Sequence, residues 1–150
     1  MRMEIAQLEV SSRSLVYIHD FFYFLAGLAI IAAAMANKGT FKGQTILSES
    51  GWEALHADPT IGHLFGNINS NFTQGGVNKF EEPDKSVTPG RDGFYGWFGY
   101  GGSIFQWHSK YKVGFAYTPT LMEWYSPDNQ KGRLLQGEVL KCVEKAQNGK

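Results

Sequence analysis

The sequence has little cysteine and no excess of charge. Cys142 is the only cysteine among 150 residues, which excludes an internal disulfide and the disulfide frameworks of small secreted proteins. Fourteen basic and fourteen acidic residues cancel, so the chain lacks the basic excess typical of nucleic-acid-binding domains. The four histidines show no paired spacing of metal ligands. We therefore expect no nucleic-acid partner, no metal and no cofactor.

A long apolar run is also nearly absent. The 17 residues from Phe21 to Asn37 are uncharged, and a helix that crosses a membrane needs about 17–25 residues. The second half of the run is rich in alanine, which contributes little to membrane insertion. The run also lacks the basic start and the cleavage site of a signal peptide. A membrane anchor at Phe21 to Asn37 remains an alternative, but an interior helix explains the run better, and an intracellular location is favoured.

Glycine and aromatic residues are abundant, with 18 glycines and 15% aromatic residues. They concentrate between Gly96 and Tyr117, where several glycines precede two alternating runs that predict a β-hairpin. In the second run, Gly114 and Ala116 leave one face of the strand nearly bare. Such a strand lets a helix, a backbone or a ligand come close.

The remaining segments predict three helices and one long connection, and one of the helices is short and carries Trp52 and Leu55. The helix ending near Asn37 is expected to terminate at Gly39. From Thr60 to Arg91 the chain is rich in Gly, Asn, Pro and charge, which predicts an irregular connection with one strand near Phe72. A C-terminal helix is expected to pack on the face left bare by Gly114 and Ala116, with Cys142 as a buried structural thiol. Its predicted packing residues, at helical spacing, are Leu135, Val139, Cys142, Val143 and Ala146.

These segments together resemble serine β-lactamase-like hydrolases, the group of class C β-lactamases, penicillin-binding proteins and related esterases. Trp97-Phe98-Gly99 stands where that family has its third active-site triplet, which is Lys-Thr-Gly, His-x-Gly or Trp-x-Gly. Gly101-Gly102-Ser103 and a hairpin follow, as in the esterase-like branch. The resemblance runs from about Leu28 to Val143 and is greatest to the eukaryotic β-lactamase-related branch. Its other segments are Leu28 to His56, Phe72 to Gly76 and Gly114 to Tyr125.

The resemblance implies an α+β protein with a partial β-lactamase/transpeptidase-like fold, in which antiparallel strands pack with a C-terminal helix. It divides the chain into residues 28–150, the C-terminal portion of a β-lactamase-related domain, and residues 1–27, an atypical segment that need not belong to the native domain. The complete family domain would hydrolyse a small ester, amide or peptide substrate. The resemblance places Trp97, Gly99 and Ser103 nearest that substrate. Because Trp97 removes the cationic or titratable group that recognises a carboxylate, we expect esters or apolar acyl groups, or no substrate at all.

The family's nucleophile is the serine of a Ser-x-x-Lys motif, and its second motif is Tyr-x-Asn or Ser-x-Asn. The one Ser-x-x-Lys of this chain, Ser109 to Lys112, falls in the predicted turn between two strands, and no Tyr-x-Asn or Ser-x-Asn occurs. We therefore expect no catalytic residues in this chain, which would be an inactive fragment or pseudoenzyme by itself. A noncatalytic binding or scaffold protein is the alternative, with an aromatic patch made of Trp97, Phe98, Tyr100 and Trp107. The sequence leaves the oligomeric state open.

Overall fold

The structure is a computed structural model that describes residues 25–64, 68–81, 91–99, 101–119 and 130–148. Helix α1 is helical over residues 25–36, and a small hairpin of β1 (Thr40–Phe41) and β2 (Gln44–Thr45) follows it. The next elements are α2 (Glu49–His56), β3 (Thr60–Leu64), β4 (Ile68–Phe72), β5 (Asn78–Lys79), β6 (Tyr95–Phe98), β7 (Ile104–His108), β8 (Val113–Tyr117) and α3 (Gln130–Asn148). Strands β3 to β8 form a six-stranded antiparallel sheet in chain order. The expected α+β architecture is confirmed.

Helix α1 ends as its sequence predicts. The backbone N–H of Gly39 donates to the Ala34 carbonyl at 2.8 Å, and the φ of +84° at Gly39 is one that a side chain would disfavour. A Cβ on Gly39 would also lie 2.1 Å from the Leu47 carbonyl oxygen. The chain can therefore turn closely here and lead into the β1–β2 hairpin.

One face of the sheet, the α1 face, carries Phe105 and Trp107 on β7 with their register partners Ala116 and Gly114 on β8. A Cβ built on Gly114 would lie 2.2 Å from the Ala33 backbone nitrogen, so α1 rests directly on the bare part of β8. Trp107 is buried in a cluster with Ala36 and Val77, and Met35, Leu55, Tyr95 and Phe105 pack against that cluster. The predicted close approach at Gly114 is confirmed.

The helix that makes this approach is not the predicted one. Helix α3 lies on the opposite face, the α3 face, where a Cβ on Gly132 would meet the Ile104 and Tyr117 side chains at 2.6 and 2.7 Å. The expectation that the C-terminal helix packs over Gly114 and Ala116 was therefore wrong. Gly132 leaves room on α3 for the Ile104 and Tyr117 side chains, whereas the bare part of β8 receives the backbone of α1 at Ala32 and Ala33.

The residues of α3 that face the sheet also differ from the prediction. Gly132 and Gln136 are the buried residues of the helix, and Leu140 packs against the buried cluster of Phe80, Phe94 and Phe98. Leu135 and Val139 are 52% and 38% exposed, and the Cys142 thiol is exposed rather than buried. Leu135, Val139 and Cys142 thus point away from the sheet, which α3 contacts through Gly132, Gln136 and Leu140. Of the predicted packing residues, Val143 is half-buried and Ala146 is exposed.

Gln136 contacts the sheet because a buried polar network receives it. Its amide nitrogen donates to the Gln106 side-chain oxygen at 2.8 Å, and its own oxygen accepts from Arg91 Nε at 3.3 Å. The Arg91 guanidinium lies over the Phe80 and Phe98 rings, 5.6 and 5.8 Å from their centroids. Buried amides need such partners, so this network fixes the position of α3 against the sheet.

The segment from Thr60 to Arg91 contains more strand than predicted. The expected strand near Phe72 is present as β4, but β3 and the short β5 pair with it on either side. Residues 65–67 and 82–90 of this segment lie outside the described residues. The polar composition hid β3 and β4, whose pairing along five register partners needs no apolar alternation.

In the described part of the chain, no helix combines the length and the apolarity needed to cross a bilayer. Residues 1–24, which include the start of the predicted anchor and most of the predicted atypical segment, lie outside the described residues.

Candidate substrate-facing hairpin

Trp97, Gly99 and Ser103 lie in the hairpin that joins β6 to β7, and we call this part of the molecule the hairpin end. Trp97 pairs with Phe105 in the ladder, and beyond the ladder the Gly99 N–H donates to the Ser103 carbonyl at 2.8 Å. The Gly102 N–H donates back to the Gly99 carbonyl at 2.9 Å, which closes the turn. The φ of Gly101 and that of Gly102 are +91° and +95°, so this turn depends on glycine.

Gly99 and Ser103 are in direct contact. A Cβ on Gly99 would lie 2.3 Å from the Ser103 hydroxyl oxygen, so that hydroxyl fills the space that a side chain at position 99 would occupy. The two predicted site residues are therefore brought together by the hairpin. Among the described residues, the Ser103 hydroxyl has no hydrogen bond to a histidine, lysine or tyrosine that would accept its proton.

The Trp97 ring packs on the Phe72 ring of β4, and Phe72 in turn contacts β3. Its ring lies 5.7 Å from the Phe72 ring of β4, and 38% of the residue is exposed. Phe72 in turn lies against Gly62 of β3, where a Cβ would meet the ring at 2.7 Å. The two rings give the hairpin end an apolar, partly accessible surface, and neither ring carries a charge.

The aromatic patch of the alternative interpretation does not form a continuous surface. Phe98 and Trp107 are 8% and 1% exposed, and both belong to buried clusters. Tyr100 lies outside the described residues. Of the four residues, Trp97 is the one that the described structure exposes to a partner.

The Ser-x-x-Lys sequence lies in the turn between β7 and β8, as its pattern predicts. The Lys112 N–H donates to the Ser109 carbonyl at 3.3 Å, and Lys112 has a φ of +53°. The Ser109 hydroxyl oxygen is buried. A helix would place Ser109 and Lys112 on one face, one turn apart, but this turn does not provide that alignment.

Sequence reasoning missed a cluster around His56, which we call the imidazole end. His56 Nδ1 lies 2.7 Å from the Trp52 carbonyl oxygen, and His56 Nε2 lies 2.9 Å from the indole nitrogen of Trp107. An indole N–H can only donate, so Nε2 must accept and Nδ1 must carry the proton. The imidazole stacks on the Trp52 ring at 3.9 Å and meets the Tyr95 ring edge-on at 4.6 Å. The available signal was the pair Trp52 and His56 at helical spacing.

Burial lowers the pKa of His56, and the hydrogen bond to the Trp52 carbonyl offsets this only in part. The neutral imidazole therefore joins α2 to the sheet. Because its one acceptor nitrogen is already occupied by Trp107, His56 has no free lone pair with which to take a proton from a substrate or a nucleophile.

A cleft of about 600 Å³ lies beside the Tyr95 end of β6 and the last residue of β7. Its lining includes Lys79, Glu81, Asp92, Tyr95, His108 and Tyr111. His108 is 6% exposed, and burial lowers its pKa although a hydrogen bond with the Asp92 backbone opposes the shift. Among the described residues, no three His, Cys, Asp or Glu side chains are grouped to hold a metal ion.

Comparisons with known proteins find solved structures that share this architecture. No protein-family model and no curated protein sequence matches the chain. Among solved structures, a family VIII carboxylesterase superposes with a TM-score of 0.63 at 21% identity, over 78% of this chain and 31% of the esterase. A penicillin-binding protein homolog from Caulobacter crescentus gives a TM-score of 0.60 at 21% identity, over 77% of this chain and 30% of the homolog.

Both neighbours have the serine β-lactamase-like fold. This chain has a β-lactamase/transpeptidase-like fold. The chain spans about a third of the length of either neighbour. The expected fold, antiparallel strands with a C-terminal helix, is therefore confirmed by the superpositions as well as by the strand order.

Proposed function

We propose that this chain forms the substrate-facing sheet of a β-lactamase-like hydrolase domain and performs no acyl transfer by itself. The observation that carries the proposal is the hairpin end. Trp97, Gly99 and Ser103 lie together there on a fold shared with an esterase and a penicillin-binding protein homolog. The same hairpin contributes a serine without a proton acceptor among the described residues.

The substrate class follows from the side chain at position 97. Trp97 offers an apolar ring, supported by Phe72, where a lysine or a histidine would offer charge or a proton. A neutral acyl group or an ester fits such a surface better than a free carboxylate, which would lose hydration without gaining an ionic partner. The fold is shared with a carboxylesterase and with a penicillin-binding protein homolog alike, so the preference for an ester rests on Trp97.

The proposed lack of turnover follows from the two serines that could be mistaken for a nucleophile. Serine hydroxyls need a base within hydrogen-bond reach, and their reaction needs donors around the developing oxyanion. Ser103 contacts Gly99, whose N–H already donates to the Ser103 carbonyl. Ser109 lies in a turn with its hydroxyl oxygen buried. Neither arrangement supplies an activated oxygen.

An ester-hydrolysis assay of the purified 150-residue chain tests the proposal. With p-nitrophenyl acetate and butyrate, we expect the rate of the native chain to equal that of the same chain after heat denaturation. Ser103→Ala and Ser109→Ala are the matched controls, and neither should change the rate. Saturable hydrolysis that Ser103→Ala or Ser109→Ala abolishes, with folding intact by circular dichroism, would overturn the proposal.

A further inference from the structure

Helix α2 is held to the rest of the chain by a small set of contacts. It has eight residues, none of which is buried. A helix of that length is marginal in water without tertiary contacts. The Trp52 indole N–H donates to the Met35 carbonyl of α1 at 2.7 Å, and His56 joins the helix to Trp107 of β7. The stability of α2 therefore depends on its attachment at the imidazole end.

The other contacts of α2 do not change with pH near neutrality. At its carboxyl end, the backbone N–H of Gly75 donates to the Leu55 carbonyl at 3.1 Å. At its start, Glu49 forms an exposed ion pair with Lys38, and such pairs contribute little stability. The hydrogen bond from Lys38 lowers the pKa of Glu49, so this carboxylate stays ionised in mildly acidic solution. Of the described contacts of α2, the one made by His56 is the one that titrates near neutral pH.

Protonation of His56 turns its contact with Trp107 from attractive to repulsive. In the neutral imidazole, Nε2 accepts from the Trp107 indole N–H at 2.9 Å, and Nδ1 donates to the Trp52 carbonyl at 2.7 Å. An imidazolium carries a proton on both nitrogens, and an indole nitrogen can only donate. The Nε2 proton would then point at the indole proton. Because Trp107 is 1% exposed, its N–H would lose its acceptor without gaining water while α2 stays in place.

In the described part of the chain, no neighbouring charge offsets this conflict. The rings around the imidazole are neutral in mildly acidic solution, and they come from α2, β6 and β7: Trp52, Tyr95 and Trp107. From α1, the nearest contact is the Met35 carbonyl, which bonds Trp52. Lys79, the register partner of Tyr95, is paired with Glu81. Glu53 and Asp58, on either side of His56 in the chain, are exposed. Burial lowers the pKa of His56, and none of these charges is a cause of that shift.

We propose that acid releases α2 as a unit: protonation of His56 breaks its contact with Trp107, and α2 leaves the α1 face while the six-stranded sheet stays folded. The ladder from β3 to β8 includes no residue of α2. Helices α1 and α3 contact the sheet through Gly114 and Gly132, without using α2. Release uncovers the Tyr95 and Trp107 rings that His56 contacts. The imidazole end is thus a pH-sensitive switch within the fold.

Amide hydrogen exchange of the 150-residue chain, corrected for intrinsic rates, tests the release. In the open state His56 takes up a proton below about pH 6.5, so linkage lets the opening of α2 rise by up to about tenfold between pH 7.5 and about pH 5.5. We expect α2 to lose protection by about five- to tenfold across this interval. We also expect lower protection in α2 than in β7 and β8 at both pH values, because α2 opens separately from the sheet.

Two glutamine variants assign the response. His56→Gln should remove the pH dependence of α2 protection, because glutamine makes both hydrogen bonds without titrating. His108→Gln is the matched control, since burial also lowers the pKa of His108 outside α2, and this variant should keep the α2 response. Equal protection in α2 and β7 at both pH values would show that α2 opens only with the whole sheet and would overturn the proposal. A response of α2 that persists in His56→Gln would contradict it as well.

An NMR titration of the native chain gives a readout that does not depend on the glutamine variants. The Trp107 indole N–H resonance, identified by its loss in Trp107→Phe, should shift with the same midpoint as the His56 ring protons. That midpoint should lie below about pH 6.5. An indole resonance that does not follow the titration of His56 would show that the hydrogen bond between the two rings does not control α2.

Discussion

The two ends of strand β6 differ in what they offer to chemistry. At the imidazole end, Tyr95, Trp107 and His56 form a close cluster in which every ring nitrogen has a partner. At the hairpin end, Trp97 is partly exposed and Ser103 lies against Gly99, with no base among the described residues. The imidazole end uses His56 to hold α2, whereas the hairpin end, which we propose to face a substrate, presents an apolar surface and no described proton acceptor.

This difference bears on the two histidines whose side chains the structure describes, His56 and His108. A general base needs a free lone pair, a pKa near the working pH and access to the substrate. His56 uses its lone pair for Trp107, and His108 is buried. Both residues therefore have structural roles in the described part of the chain.

The largest contrast is expected from removing the tryptophan at each end. Trp107→Ala should lower the free energy of unfolding by about 3–5 kcal/mol, because it empties a buried site, and it leaves His56 Nε2 without its donor. Trp97→Ala should cost about 1 kcal/mol, since the ring is partly exposed and loses mainly its contact with Phe72. Urea denaturation of the two variants measures both values. Equal losses would show that the two ends do not differ as described.

A smaller effect is expected at Gly114, the register partner of Trp107. Gly114→Ala should cost about 1–3 kcal/mol because its Cβ would press on the backbone of α1 at Ala33. Gly137→Ala adds the same atom where nothing lies within 4 Å, and it should be neutral or stabilise α3 by up to about 1 kcal/mol. Thermal midpoints of the two variants compare them directly. If the two substitutions had the same effect, α1 would not rest on β8.

The smallest effect is a dependence of stability on pH. The pKa of His56 and that of His108 are lowered in the folded chain, so below about pH 6.5 the unfolded chain binds more protons than the folded one. Stability should therefore be full above that pH and fall as the pH decreases toward the folded pKa values. Unfolding free energies between pH 7.5 and about pH 5.5 measure this slope. Stability that rises as the pH falls through this window would contradict the neutral state of these imidazoles.

His56→Gln provides the control for that slope. A glutamine amide can donate and accept hydrogen bonds as the imidazole does, but it does not titrate. The variant should keep the fold and show a flatter pH profile, with the remaining slope supplied by His108. A profile as steep as that of the native chain would assign the slope to other groups.

The fold could be predicted from the sequence where one residue type sets the geometry. Glycines at positions 39 and 114 predicted a helix end and a close helix approach, and both are present. The alternation from Ser103 to Thr118 predicted the hairpin of β7 and β8. At the two glycines the geometry requires a positive φ or an absent side chain, and few residue types satisfy such a requirement.

The sequence could not predict which helix covers which face. The apolar stripe of α3 suggested that Leu135 and Val139 face the sheet, but the sheet offers the amide of Gln106 and the aromatic cluster under Arg91 instead. Helical spacing shows that residues share a side of a helix but not what lies opposite them. For the same reason the hydrogen bond from Trp107 to His56, across 51 residues of chain, has no local signal.

The candidate site was predictable as far as the resemblance reached. Gly99 and Ser103 are in contact, and Trp97 is partly exposed beside them, but their role toward a substrate stays a prediction. The support of Trp97 by Phe72 and Gly62 was not predicted, because it depends on strands β3 and β4, whose polar residues gave no strand pattern.

Intact-mass spectrometry after treatment with a fluorophosphonate tests the central claim most directly, because the probe reports an activated serine without any assumption about the substrate. The native chain should keep its unmodified mass, as should Ser103→Ala and Ser109→Ala, since no described group accepts the proton of either hydroxyl. Stoichiometric addition of one probe to the native chain, mapped to Ser103 or Ser109 and abolished by the corresponding alanine variant, would show that this chain is a hydrolase by itself.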